Sequence, residues 1–239
     1  MQIWGHRGAY NYAPENTIYS FEKAIELGAD GVEFDVQLTM DGEVVVVHDE
    51  RIDRVSDGAG YVKGYTLAEL KRFNFNKRGI SEPRFMRIPT LDEALELLGP
   101  TSLSINIELK TGIIFYDGIE RKTLDIVDKH GLLDRSLFSS FNHYSVRKVK
   151  EYKPAAKTAL LCGGEILVTG EQCEKAGACA LHPDVRQMRY PGLIEDCHKR
   201  GVKVHVWTVD NDDDFIYAKE HGVDAVFVND LVKYKSAKG

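Results

Sequence analysis

Short runs rich in β-branched residues alternate with helical patterns along all 239 residues of this chain, and that alternation leaves few folds open to it. Ile3-Trp4 opens as a strand. A helix is predicted from about Asn16 to Leu27, where Ile18, Phe21, Ala24, Ile25 and Leu27 form an apolar stripe and Gly28 supplies the C-terminal stop. Asn16 is a good N-cap for it, with a pocket contact as the alternative. Gly31 to Leu38 reads as the next strand. Thr90-Leu91-Asp92-Glu93 begins another helix as a capping box, in which Thr90 and Glu93 satisfy free backbone N–H groups. Strand Leu103–Leu109 follows, then a helix around Ile119–Lys129. Further candidates recur at Ser136–Ser140, Tyr144–Glu151, Thr158–Leu161, Cys179–Leu181, Gly192–Arg200, Val202–Thr208, Asp212–Glu220 and Ala225–Val228. Strands separated by helices pair in parallel, with the helices as crossovers. About eight such units favour a closed barrel over an open sheet, and α/β barrels of this size form one domain. The expectation is α/β, a (β/α)8 TIM-type barrel spanning residues 1–239. No Gly-x-Gly-x-x-Gly follows the first strand, which argues against a dinucleotide site.

Two features interrupt the pattern. One is a hairpin from Gly31 to His48 turning at Asp41-Gly42, a favoured two-residue turn. The other is an insertion at about 51–88, which carries nine Lys/Arg against four Asp/Glu in a chain whose net charge is −6, together with Tyr61, Tyr65, Phe73, Phe75 and Phe85. A long excursion between barrel elements serves as a lid or binding insertion, or forms a loop with its own small cluster. The acidic total argues against nucleic acid as the main partner. Cys162, Cys173, Cys179 and Cys197 lack zinc-ligand spacing and are expected as buried small hydrophobes. No basic-then-apolar leader and no apolar run of about 20 residues is visible, so a cytoplasmic protein without an integral membrane segment is expected.

Three strand candidates place polar side chains at every second position. Glu33, Asp35 and Gln37 alternate with Val32, Phe34, Val36 and Leu38. Ser104, Asn106, Glu108 and Lys110 alternate with Leu103, Ile105, Ile107 and Leu109. Lys203, His205 and Trp207 alternate with Val202, Val204 and Val206. Neighbouring side chains face opposite sides of a strand. The outer face of a barrel packs on helices, so the apolar set goes out and the polar set goes in, its last members near the C-terminal mouth where barrel active sites lie. Glu33, Asp35 and Glu108 would converge there. Three carboxylates repel one another unless a positive charge sits among them, and Lys110 neutralises only one. A hard divalent cation suits such oxygen ligands. A two-residue turn pairs Met40 with Glu43 and, counting back, Asp35 with His48, which sets His48 beside the carboxylates. His205 points inward by the same parity and is expected as mid-barrel packing.

Gly5-His6-Arg7-Gly8, Pro14-Glu15-Asn16-Thr17, Glu33-Phe34-Asp35-Val36, His48-Asp49, Glu108-Leu109-Lys110 and Trp207-Thr208-Val209 together resemble the glycerophosphodiester phosphodiesterase family, in order and from His6 to about Asp230. The resemblance implies a (β/α)8 barrel with a small insertion after His48. It implies Mg²⁺ or Ca²⁺ on Glu33, Asp35 and Glu108, His6 and His48 as general acid and base, Arg7 and Lys110 on the phosphate, and Trp207 as the wall for the glycerol end. The implied reaction is metal-dependent hydrolysis of a small glycerophosphodiester, such as glycerophosphocholine or glycerophosphoethanolamine, to sn-glycerol 3-phosphate and an alcohol. Asp210 stands where family members often carry Asn, and Val226-Phe227-Val228-Asn229-Asp230 replaces a Thr-Asp ending; both bear on substrate choice. A lysophospholipase D-like or phosphoinositide phosphodiesterase would be favoured by membrane-inserting apolar loops, which the sequence does not display. A non-catalytic barrel binding a phosphorylated ligand would be favoured by loss of a histidine or an acidic ligand, and none is lost. Whether the chain forms a homo-oligomer stays open.

Overall fold

The computed structural model describes residues 1–77, 85–164 and 168–237. Its elements in chain order are β1 (Gln2–Gly5), α1 (Ile18–Glu26), β2 (Gly31–Leu38), β3 (Val44–Val46), α2 (Leu67–Leu70), α3 (Leu91–Leu98), β4 (Ser104–Leu109), α4 (Ile119–Lys129), β5 (Ser136–Ser140), α5 (His143–Tyr152), β6 (Lys157–Cys162), α6 (Gly170–Ala176), β7 (Ala180–Pro183), α7 (Leu193–Lys199), β8 (Lys203–Val206), α8 (Asp212–Glu220), β9 (Ala225–Val228) and α9 (Leu231–Ser236). Eight strands pair in parallel in the order β1-β9-β8-β7-β6-β5-β4-β2, and β1 also pairs with β2, so the sheet closes on itself. β3 hangs antiparallel on β2 outside this ring.

Side-chain parity decides what each face does. Val32, Phe34, Val36, Ile105, Ile107, Val204 and Val206 are buried in one core with the helices. Phe34 meets Phe21 of α1 at 5.3 Å between ring centroids. The barrel interior below the mouth is a small apolar plug of Trp4, Leu137, Ala159, Ala180, Ala225 and Phe227, large residues set against small ones. His205 lies mid-barrel, its ring 4.9 Å from that of Trp4, as expected.

Two local expectations need correction. Thr17, not Asn16, caps α1: its Oγ1 accepts from Ser20 N at 3.1 Å, and Ser20 Oγ accepts from Thr17 N at 3.3 Å. This reciprocal box wins because Ser20 stands at the third helical position, and it frees Asn16 to turn inward. The hairpin register is also one residue away from that predicted. Val36 pairs with Val46 and Leu38 with Val44, so Asp35 stands opposite Val47 rather than His48. The turn is a three-residue loop, Met40-Asp41-Gly42, with Gly42 at φ 81. Asp41 is drawn into it because its carboxylate accepts from Thr39 Oγ1 at 2.6 Å and from Leu67 N at 3.0 Å. His48 still reaches the mouth, because the ladder ends before it and the chain bends there.

The insertion has a core of its own. Val45 and Val47 of the hairpin pack with Ile52, Val55, Val62, Leu70, Phe75 and Ile88. Residues 78–84, which include three of its charges, lie outside the described residues. Cys162, Cys173 and Cys197 are buried free thiols as expected, whereas Cys179 is exposed.

Candidate active site

The β1–α1 loop is built on close backbone approach. A Cβ on Gly5 would meet the Gly8 carbonyl oxygen at 2.5 Å, and one on Gly8, at φ 84, would meet Ser20 Oγ at 2.3 Å. The resulting tight loop points the Arg7 N–H at Glu33 Oε2, 2.9 Å away. β2 carries Glu33 and Asp35 inward, and β4 sets Glu108 beside Asp35 in register. One ligand oxygen from each of the three carboxylates lies within 4.8 Å of the others. At an effective dielectric near 20, two charges that close repel by on the order of 3 kcal/mol. The protonation equilibria show the consequence. Burial, reinforced by Asp35 and Glu108, pushes Glu33 well above the usual carboxylate range. Burial also raises Glu108, against the opposing pull of Lys110. For Asp35 burial is outweighed by His48, Lys110 and Arg7, which hold its carboxyl below the usual range. Asp35 Oδ1 is buried with no hydrogen-bond partner among the described residues, Lys110 Nζ lying 3.7 Å from it. An all-oxygen donor set with one bare carboxylate oxygen fits a hard divalent cation, and Glu33, Asp35 and Glu108 are the residues that could hold it.

Around the carboxylates runs a closed circuit of charged and polar side chains. Arg7 Nε lies 3.7 Å from Asp35, and its Nη1 donates to Glu15 at 2.7 Å. Glu15 also accepts from Arg54 of the insertion at 2.6 Å, and Arg54 donates to Asp49 at 2.6 Å. Asp49 accepts from His48 Nδ1 at 2.6 Å. Lys110 Nζ sits 3.2 Å from His48 Nε2, 2.8 Å from Glu108 and 3.7 Å from Asp35, which closes the loop. When His48 is neutral, Asp49 as acceptor places its proton on Nδ1 and leaves the lone pair on Nε2. Asn16 Nδ2 donates to Asp35 Oδ2 at 2.9 Å.

His6 is held from the other side of the mouth. Its Nδ1 meets Asn229 Oδ1 at 2.8 Å, and Asn229 Nδ2 donates to Asp210 at 2.7 Å. Asp210 thus orients the amide that orients His6. Burial, with Arg7 beside it, lowers His6 to about 4. His6, Arg7, Glu33, His48, Glu108 and Trp207 all line one cavity of about 60 Å³. Asp35 and Lys110 join them through the contacts above, so all eight predicted site residues come together. Trp207 donates Nε1 to the His182 carbonyl at 2.9 Å and takes Phe141 against its face at 5.4 Å.

Sequence reasoning assigned no role to Glu15, Asp49, Arg54 or Asn229. Glu15 and Asp49 stood inside quoted motifs, and the basic excess of the insertion was the available signal for Arg54. Glu15→Gln is expected to destabilise the protein by about 2 kcal/mol. Removing one partner of a buried pair costs more, but Arg54 is 42% exposed. Burial opposes the Glu15 charge, yet Arg54 and Arg7 outweigh it and lower its pKa. Its contribution is therefore present above the ordinary glutamate value of about 4.5 and lost as pH falls through the lower folded value. Urea denaturation of both proteins should show the gap at neutral pH and its closure in acid.

The loop after β4 exposes Ile113 at 74% and Phe115 at 79%, and Tyr144 at the start of α5 is 69% exposed. An apolar rim therefore stands beside the mouth. Among the described residues no helix is long and apolar enough to cross a membrane.

The Glycerophosphoryl diester phosphodiesterase family model matches residues 6–233. A glycerophosphodiester phosphodiesterase of Caldanaerobacter subterraneus subsp. tengcongensis is 42% identical over 228 residues, covering 95% of this chain and 93% of that protein. One from Bacillus altitudinis is 35% identical, with 95% and 94% covered. Among solved structures, an Oleispira antarctica phosphodiesterase in complex with the product sn-glycerol-3-phosphate superposes with a TM-score of 0.90 at 30% identity, covering 100% of this chain and 96% of that one. The barrel, the convergence of its inward carboxylates and these full-length likenesses agree: the chain belongs to the glycerophosphoryl diester phosphodiesterase family.

Proposed function

We propose that this enzyme hydrolyses small glycerophosphodiesters, glycerophosphocholine and glycerophosphoethanolamine among them, to sn-glycerol 3-phosphate and the free alcohol, with dependence on Mg²⁺ or Ca²⁺. The observation that carries the reading is the meeting of three buried carboxylates with two histidines whose Nδ1 atoms are each tied to an acceptor, Asn229 for His6 and Asp49 for His48. A divalent cation on Glu33, Asp35 and Glu108 would supply Lewis-acid stabilisation of the phosphate charge. Lys110 and Arg7 bring fixed positive charge to the same mouth and offset the anion that makes a phosphodiester resist nucleophiles. His6 and His48 divide the proton work: one takes the proton of the attacking oxygen, the other protonates the departing alkoxide. Trp207, backed by Phe141, offers the glycerol carbons an apolar wall. The product complex of the Oleispira antarctica relative supports a glycerol phosphate in this kind of site.

A second reading has its own support. The exposed rim of Ile113, Phe115 and Tyr144 suits a monoacyl glycerophosphodiester, whose chain would lie along it. One assay separates the two. Purified protein is given glycerophosphocholine, glycerophosphoethanolamine or lysophosphatidylcholine, with Mg²⁺, Ca²⁺ or excess chelator. Release of glycerol 3-phosphate or of the head-group alcohol is then followed. Metal-dependent cleavage of the two water-soluble diesters is expected. Turnover that persists in chelator would remove the metal, and cleavage of the lysophospholipid alone would establish the second reading in place of the first.

A further inference from the structure

The floor of the cavity holds two polar atoms that the protein leaves unsatisfied. Asn106 of β4 and His182 of β7 both line the cavity shared by His6 and Glu108. Their exposures are 1% and 0%. Asn106 spends its Nδ2 on Ser139 Oγ at 3.0 Å, and His182 spends Nε2 on His205 Nδ1 at 3.0 Å. Asn106 Oδ1 and His182 Nδ1 then remain buried with no partner among the described residues. The surrounding surface is apolar: Leu161 and Phe227 line the same cavity, and the Phe227 ring lies 5.2 Å from that of His182. Buried groups left unpaired are costly in a native protein, and those that persist in a cavity commonly await a ligand or an ordered water.

Depth points to the ligand. Asn106 precedes Glu108 by two residues on the same face of β4, which sets it roughly 6–7 Å further into the barrel. That is about the reach of a glycerol moiety whose phosphate is held at the mouth by Lys110 and Arg7. A hydroxyl suits both floor atoms when His205 Nδ1–H donates to His182 Nε2 and His182 carries its own proton on Nδ1: it then donates to the amide oxygen and accepts from the imidazole N–H. The charged ethanolamine or choline end gains nothing from such a floor. We propose that Asn106 and His182 form a hydroxyl-reading subsite that binds the terminal hydroxyl of the glycerol moiety and so makes the enzyme selective for glycerol over other phosphodiester backbones. This rests on the glycerophosphodiester reading above.

The test compares kcat/KM on glycerophosphocholine with that on the analogue whose glycerol lacks the terminal hydroxyl, for wild type and three variants. Sites built to hydrogen-bond a substrate hydroxyl reject the analogue strongly. The wild type should prefer the parent by roughly 10⁴-fold. His182→Gln keeps a bond toward His205 but withdraws the atom at the Nδ1 position, and Asn106→Leu removes the acceptor. Both should lose activity on the parent only, bringing the two substrates to near parity. His182→Asn places an amide atom where Nδ1 stands and should retain the preference. Thermal melts confirm that each variant is folded. If the variants slow parent and analogue by the same factor, the two residues are structural and the inference falls alone. If the wild type cleaves no glycerophosphodiester with any divalent ion, the functional reading falls and takes the inference with it.

Discussion

Glu108→Ala should lower kcat/KM by about 10³-fold or more while leaving the barrel folded. The reason lies in the unequal demands of folding and chemistry on this carboxylate. Burial raises Glu108 against the pull of Lys110, so folding disfavours its ionised form. Its loss relieves Asp35 and Glu33 of a neighbour, at the expense of the 2.8 Å contact with Lys110. Lys110 keeps Asp35 at 3.7 Å, so the fold has little to lose. Cation affinity has a great deal to lose, because two oxygens in place of three leave a weaker site. Thermal melts report both halves. A divalent ion at about a hundredfold excess over its Kd adds about 2.7 kcal/mol, which in a chain of this size should raise the wild-type midpoint by roughly 5–10 °C. In the variant that rise should shrink to near zero, with the ion-free midpoint within a few degrees of wild type. Turnover within tenfold of wild type, or an undiminished ion-induced shift, would remove Glu108 from the cation site.

His48→Ala should reduce kcat by about 10²–10⁴-fold with KM little changed. His48 lies between Asp49 and Lys110, with Nδ1 fixed by the first and Nε2 presented beside the second. On the proposed reading Lys110 and Arg7 supply the charge that holds a ground-state phosphodiester, and His48 is not needed for it. The loss should therefore fall on the chemical step. A substrate with a far better leaving group offers a sharper reading. If His48 protonates the leaving alkoxide, such a substrate should recover most of the lost rate. If His48 deprotonates the nucleophile, it should recover little. A change confined to KM would exclude both roles.

Much of this site was legible because period-two alternation is a strictly local signal. Glu33, Asp35 and Glu108 could be placed inside a barrel from parity alone, since the apolar members of the same strands had to meet helices. The hairpin shows where locality ends. Asp41-Gly42 favours a two-residue turn, yet Asp41 is also bound by Leu67 N from far along the insertion, and that distant demand set a three-residue loop. Arg54 and Glu15 are 39 residues apart, and no pattern within either segment announces their contact. Asn16 looked like a cap because the stronger box one residue later depends on a serine, a weaker signal than the usual Glu or Gln. Ile113 and Phe115 lie beyond the end of β4, where no strand or helix period says which way a side chain faces, and they stand exposed.

The circuit from Asp35 through Arg7, Glu15, Arg54, Asp49, His48 and Lys110 has a consequence for how such enzymes diversify. One arginine of the insertion is bonded both to the loop that opens the barrel and to the carboxylate that sets the His48 tautomer. The insertion is therefore not a freely exchangeable module, despite its separate apolar core. A chimera that borrows this segment from a relative keeps the His48–Asp49 contact braced only if the graft also brings a guanidinium that spans Glu15 and Asp49. Without it the borrowed segment would dock on β3 and the histidine beneath would be left to rotate.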